Sequence, residues 1–155
     1  MKEHNINEFL VSQHPLKAQQ FIIGLSADWM EIEYQKHHGD FDKLDAVRGF
    51  LEALRSSLDA RLLSQSSQEH PRKKRKIVDV PWATIMKKRH KIVSLMEGMS
   101  MGEAMSFLAK VTTEWCFSIP ENFIPLMGIH PHDNSDKAIA DAVYEWFDRY
   151  SDLWH

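Results

Sequence analysis

"LDAVRGFLEALRSSLDARLL", residues 44–63, decides the fold class. Leu44, Val47, Leu51, Leu54, Leu58 and Leu62 recur at steps of three and four, which draws one apolar stripe along a helix. Asp40, just upstream, is a plausible N-cap for that helix. Before it lies a second helical stretch. Pro15 suits a first helical turn, where its missing N–H costs nothing, and Leu16, Ile23, Ala27, Met30 and Tyr34 follow at helical spacing. His37-His38-Gly39 closes that stretch, and so short a connection implies an antiparallel helical hairpin. Gly24 and Gly49 fall inside these two helices at a propensity cost of about 1 kcal/mol each, which a close helix crossing would offset.

The same periodicity continues downstream. Residues 64–76, "SQSSQEHPRKKRK", are polar and free of apolar side chains, so they read as a loop or linker. Pro81 opens a helix over 82–97 and Gly98 ends it. Ser100 and Glu103 have capping-box spacing, and Met101, Met105, Leu108, Val111 and Trp115 then mark another helix. Residues 117–134 carry three prolines and predict an irregular connection. In the last stretch Ser135 or Asp136 caps a helix on which Ile139, Val143, Trp146, Phe147, Tyr150 and Trp154 face one way. No repeat and no convincing strand is present. The prediction is an all-α protein of five or six helices, antiparallel hairpins packed as an irregular bundle, with a basic loop in mid-chain. One helical domain spans 1–155, divisible into lobes 1–63 and 82–155 joined by the polar and basic loop 64–81.

Composition bounds the function. With 155 residues, 43% hydrophobic and 26% charged, the chain can build a real core. Its one cysteine, Cys116, excludes an intrachain disulfide framework and a CxxC metal pair. The first fifteen residues lack the apolar centre of a signal peptide, and no apolar run reaches the roughly 18 residues a membrane span needs. The expectation is an intracellular, cytoplasmic protein without a membrane partner.

The net charge of −3 hides a strong segregation. Residues 1–71 hold 7 Lys/Arg against 11 Asp/Glu, residues 72–91 hold 9 against 1, and residues 92–155 hold 3 against 10. A basic centre of +8 therefore lies between acidic flanks of −4 and −7. Such asymmetry bears on partners, not on fold. Its source is the run Arg72, Lys73, Lys74, Arg75, Lys76, together with Lys87, Lys88, Arg89 and Lys91.

On a wheel of helix 82–97, Trp82, Ile85, Met86, Ile92, Val93 and Met96 share one face, and Lys87, Lys88 and Lys91 fall opposite. A cationic helix face beside a cationic loop suits a phosphate backbone, which attracts such surfaces by counterion release without base-reading residues. The plainer reading is a solvated helix face, and the same cations would also dock an acidic protein surface. "PRKKRKIV", 71–78, resembles a monopartite nuclear localisation signal, which would make the protein nuclear in a eukaryote or a virus of eukaryotes. Arg89 falls in the middle of the apolar face. Either it lies along the apolar surface and extends its head to water or, the favoured outcome, it pairs with a carboxylate of an acidic flank, most naturally from helix 41–63 or helix 135–154.

Helix 82–97, the turn after it and helix 101–116 have lengths that suit a helix-turn-helix, but the second helix holds one Lys and two Glu, a poor surface for a major groove. His130, His132 and Asp133 in "HPHD" are weak candidate metal ligands, with His37 and His38 as further imidazoles. No Glu-x-x-His pair, glycine-rich phosphate loop, nucleophile elbow or HExxH motif is present, so no cofactor is expected. Cys116 sits between Trp115 and Phe117, which favours a buried, inert thiol. Met96, Met99, Met101 and Met105 cluster around a turn and read as core filler before partner surface. The favoured function is a non-enzymatic accessory or regulatory subunit that touches nucleic-acid phosphates without sequence preference, within a larger complex. The alternative is a helical protein-interaction module, a regulator or inhibitor of such a complex.

Overall fold

The structure, a computed structural model, describes residues 2–64, 78–118 and 135–149. Among the described residues are six helices: α1 Lys2–Val11, α2 Pro15–Lys36, α3 Lys43–Ser64, α4 Trp82–Met96, α5 Met101–Ser118 and α6 Asp136–Arg149. None of the described residues forms a strand, so the fold is an all-α bundle as the periodicity predicts. No helix among them is long and apolar enough to cross a membrane.

The helix ends follow capping chemistry. His14 accepts the Leu16 amide on Nδ1 at 3.2 Å with Pro15 in the first turn. The N-cap of α3 is Asp42, not Asp40: its Oδ1 accepts the amides of Leu44 and Asp45 at 3.0 and 3.3 Å. Asp40 lies two residues too early to reach them. At α5 the capping box closes in both directions, the Glu103 amide donating to Ser100 Oγ at 3.2 Å and the Ser100 amide to Glu103 Oε1 at 3.0 Å. Ser135 caps α6 through the Ala138 amide. Gly98 stops α4 at φ +88°, a left-handed conformation that glycine adopts without strain.

The spine of the bundle is α5. It buries Ala104, Met105, Leu108, Ala109, Val111, Thr112, Thr113, Trp115, Cys116 and Phe117, and α3 is its chief neighbour. Helices α1, α2 and α6 also lean on it. The periodicity of α5 and α6 matches the buried residues, and Tyr150 and Trp154 lie outside the described residues. The stripe of α2 is displaced from the expected one. Ala18, Phe21, Ile22, Leu25, Trp29 and Met30 are buried, whereas Leu16 and Tyr34 are 43% and 37% exposed. With apolar residues on nearly every side of α2, spacing alone does not choose a face. On α3 the buried set is Ala46, Val47, Phe50, Leu54 and Leu58, with Leu44 exposed. Met96 and Met105 are buried and Met99 and Met101 pack against the core, as core filler should.

Helix α4 sits at the margin. Its main neighbour is α2 and it buries only Ile92, Val93 and Met96. Burying three such side chains contributes about 1.5–3 kcal/mol each. Two polar clamps add to this. Trp29 Nε1 donates to the Met96 carbonyl at 3.2 Å, and Arg89 forks onto Asp28. The marginal seat leaves most of α4 open to solvent.

Candidate polyanion-binding surface

The surface is built on α4. Ile92, Val93 and Met96 point inward; Ile85, Met86 and Arg89 are half-buried on the same side; Lys87, His90, Lys91 and Ser94 are exposed on the other. Two expectations for this helix need correction. Trp82 is 68% exposed, because the first turn of α4 runs past the edge of the core and leaves its ring without a wall to pack on. Arg89 does form a carboxylate pair, but with α2, not with helix 41–63 or 135–154. Its Nε donates to Asp28 Oδ2 at 2.7 Å and its Nη2 to Asp28 Oδ1 at 3.1 Å, a bidentate fork. The guanidinium lies on Gly24, where any side chain would intrude: a Cβ there would stand 2.7 Å from Nη1. Gly24 thus answers to a side chain from the crossing helix and not to backbone contact, whereas at Gly49 an added Cβ would meet only Met105 at an ordinary 3.7 Å.

The three lysines differ from the other cations of the molecule. Lys17, Lys36, Lys43, Arg48, Arg55, Arg61, Lys137 and Arg149 each stand beside a carboxylate. Arg89 does so too. Among the described residues Lys87, Lys88 and Lys91 form no ion pair; Lys110, alone on α5, is another such cation. Helix geometry sets Lys87 and Lys91 one turn apart, about 6 Å along the axis. Lys88 leans the other way, with its Nζ 5.2 Å from the ring centroid of Phe9 on α1.

That contact belongs to a groove of about 570 Å³ between α1 and α4, lined by Ile6, Glu8, Phe9, Lys88, Lys91, Ile92 and Leu95. Its floor is apolar, and two ammonium groups stand on the α4 wall opposite Glu8 on α1. Phe9 is anchored from behind by Phe21 at 4.9 Å between ring centroids. The chain reaches α4 over this same corner. The Val78 amide donates to the Ser12 carbonyl at 2.8 Å, Lys17 pairs with Asp79 at 3.5 Å, and Ser12 Oγ donates to the Phe9 carbonyl at 2.7 Å.

Arg72, Lys73, Lys74, Arg75 and Lys76 lie outside the described residues, as do His130, His132 and Asp133. His37 and His38 are exposed where α2 ends, His38 at φ +55°. Among the described residues no three His, Cys, Asp or Glu are placed to hold a metal. Cys116 is fully buried, and burial pushes its thiol far above the ordinary range, so no thiolate is available there at neutral pH. For the helix-turn-helix reading α5 offers a poor surface: it buries ten residues, and its exposed stripe carries Glu103 and Glu114 against the single Lys110.

The groove itself was not legible in the sequence, because helix α1 was not. Its ten residues begin with a polar turn, and the only available signal was Ile6, Phe9 and Leu10 at i, i+3, i+4. Comparison with protein-family models, with curated proteins and with solved structures yields no match.

Proposed function

We propose that this chain is a non-enzymatic accessory or regulatory protein that works inside the cell, associated with nucleic acid through phosphate contacts from Lys87, Lys88, Lys91 and the run Arg72 to Lys76. One observation carries this reading. Nine Lys and Arg side chains among the described residues stand beside a carboxylate, yet three of the four that do not lie on one marginal helix, although both flanks are acidic. Clustered lysines repel one another, and a polyanion relieves that repulsion while releasing its own counterions.

The test is salt dependence. Eight phosphate contacts to duplex DNA imply a slope of log affinity on log salt of about −7, and changing Lys87, Lys88 and Lys91 together to Gln should flatten it by about 2.7 units. The loss should be similar for unrelated sequences. Absence of binding to any DNA or RNA at low salt removes the proposal.

A second reading draws on Val78 and Trp82, 51% and 68% exposed, for which a phosphate backbone has no use. They suit a protein-interaction module in which the same cations dock an acidic partner. Capture of an acidic protein that resists salt and is lost with Trp82→Ala would favour that reading.

A further inference from the structure

The groove between α1 and α4 joins two features that a duplex cannot use together. Its floor offers Phe9 with Ile92 and Leu95, and its α4 wall carries Lys88 and Lys91, neither of which forms an ion pair among the described residues. In a duplex the base faces are stacked inside, and only base edges, sugars and phosphates reach the protein. A single strand exposes an apolar base face one bond system away from an anionic phosphate, and aromatic floors beside cationic walls are how such strands are held. The volume of about 570 Å³ lies in the range of small-ligand sites.

We propose that this groove receives an unpaired nucleobase, with its phosphate held by Lys88 and Lys91, so that the chain prefers single-stranded nucleic acid to duplex. The inference rests on the phosphate-binding reading above and deepens it. Lys88 now lies over Phe9 at 5.2 Å, a contact weak enough at a half-open site to be exchanged for a phosphate, and its swing uncovers the ring for the base. Leu95, 37% exposed at the groove edge, forms the accessible part of the apolar wall. Phe9 is less suited to substitution, since it also packs on Phe21.

The experiment compares fluorescence anisotropy of four labelled probes at one low salt concentration: a short oligothymidylate, a single strand of the same length made of abasic sites, a duplex of that length, and an oligoglutamate of equal charge. The oligothymidylate should bind about 5- to 100-fold more tightly than the abasic strand, the range that loss of base stacking commonly produces. Leu95→Ser should erase most of that gap while leaving the abasic and duplex affinities unchanged; the lost burial lowers its melting temperature, so binding is compared well below that temperature with circular dichroism showing the helices intact. Leu95→Phe should widen it. Equal binding of oligothymidylate, abasic strand and duplex overturns the groove assignment and leaves phosphate binding standing. Oligoglutamate binding as tight as oligothymidylate overturns the nucleotide as occupant in favour of an acidic peptide. Failure of all four probes to bind overturns the phosphate-binding reading itself.

Discussion

Gly24→Ala is the sharpest probe of how α4 is held. A methyl group at this position would lie 2.7 Å from Arg89 Nη1, 2.9 Å from Cζ and 3.2 Å from Nε. The α2 backbone cannot yield, so the guanidinium must retreat by about 1 Å to restore ordinary contact at roughly 3.5–4 Å. The bonds from Nε and Nη2 to Asp28 are 2.7 and 3.1 Å long, and a shift of that size takes at least one of them out of bonding range. A hydrogen bond between charged groups contributes about 1.5–3 kcal/mol, and replacing a mid-helix glycine by alanine returns about 1 kcal/mol. Gly24→Ala should therefore destabilise the wild type by about 0.5–2 kcal/mol. In an Arg89→Ala background the methyl meets nothing charged, and the same change should stabilise by about 1 kcal/mol. Urea denaturation of the four proteins, followed by far-ultraviolet circular dichroism, gives the coupling, expected at about 1.5–3 kcal/mol. If Gly24→Ala stabilises both backgrounds equally, the guanidinium does not rest on Gly24 and α4 is oriented differently.

Further predictions concern acid and thiol chemistry. The carboxylates of Glu31, Asp59 and Glu103 are held below the ordinary range, by the hydrogen bond from Lys43, the fork from Arg55 and the Ser100 amide respectively. For Asp141, burial alone would raise the carboxyl, but hydrogen bonds from Lys137 and Arg55 outweigh it. A carboxylate lowered in the folded state contributes stability that is full above its unfolded value, ~4, and is lost as pH falls through the folded value. The melting temperature should thus drop below pH ~4, and the deficit of Glu103→Ala seen at neutral pH should shrink as the wild type loses its own cap. A deficit that stays constant into acid would mean that Glu103 acts there only through helix propensity. Cys116 should not react with a thiol reagent in the native protein and should react fully in denaturant; rapid native labelling would show that α5 opens easily or is not buried.

What the sequence revealed and what it hid follow from the range of each interaction. Caps and stripes are local, so Ser100 with Glu103, Pro15, Gly98 and the apolar faces of α5 and α6 were readable. Faces became ambiguous where apolar residues surround a helix, as on α2, where spacing favoured Leu16 and Tyr34 and packing chose Ile22, Leu25 and Trp29. For Arg89 the need for a carboxylate was legible, since a guanidinium on an apolar face requires one, but the choice of Asp28 depends on which helix α4 crosses. That crossing has no local signature other than Gly24, whose meaning appears only once Arg89 lies on it. The exposure of Trp82 is likewise a matter of where the core ends.

The division of labour among the cations of α4 follows from where the acids are engaged. The acidic flanks could in principle neutralise the basic centre, yet many of their described carboxylates are engaged within the bundle. Asp59 and Asp141 share Arg55, Glu31 takes Lys43, and Glu114 takes Arg61 across α3 and α5. Among the described residues Asp28 is the carboxylate that pairs with a cation of α4, and it takes Arg89, on the side of the helix that packs against α2. A planar fork can satisfy two oxygens at a half-buried seat, whereas a lysine there would leave one oxygen without its donor. The outward positions carry lysine, whose long stems keep the ammonium hydrated and mobile until a partner arrives. Exchanging the two chemistries should separate their roles. Arg89→Lys should lower stability and leave the salt slope of nucleic-acid binding intact, while Lys87→Arg and Lys91→Arg should preserve both. An Arg89→Lys protein that keeps its stability but loses binding would place the phosphate contact on the inward face and overturn this assignment.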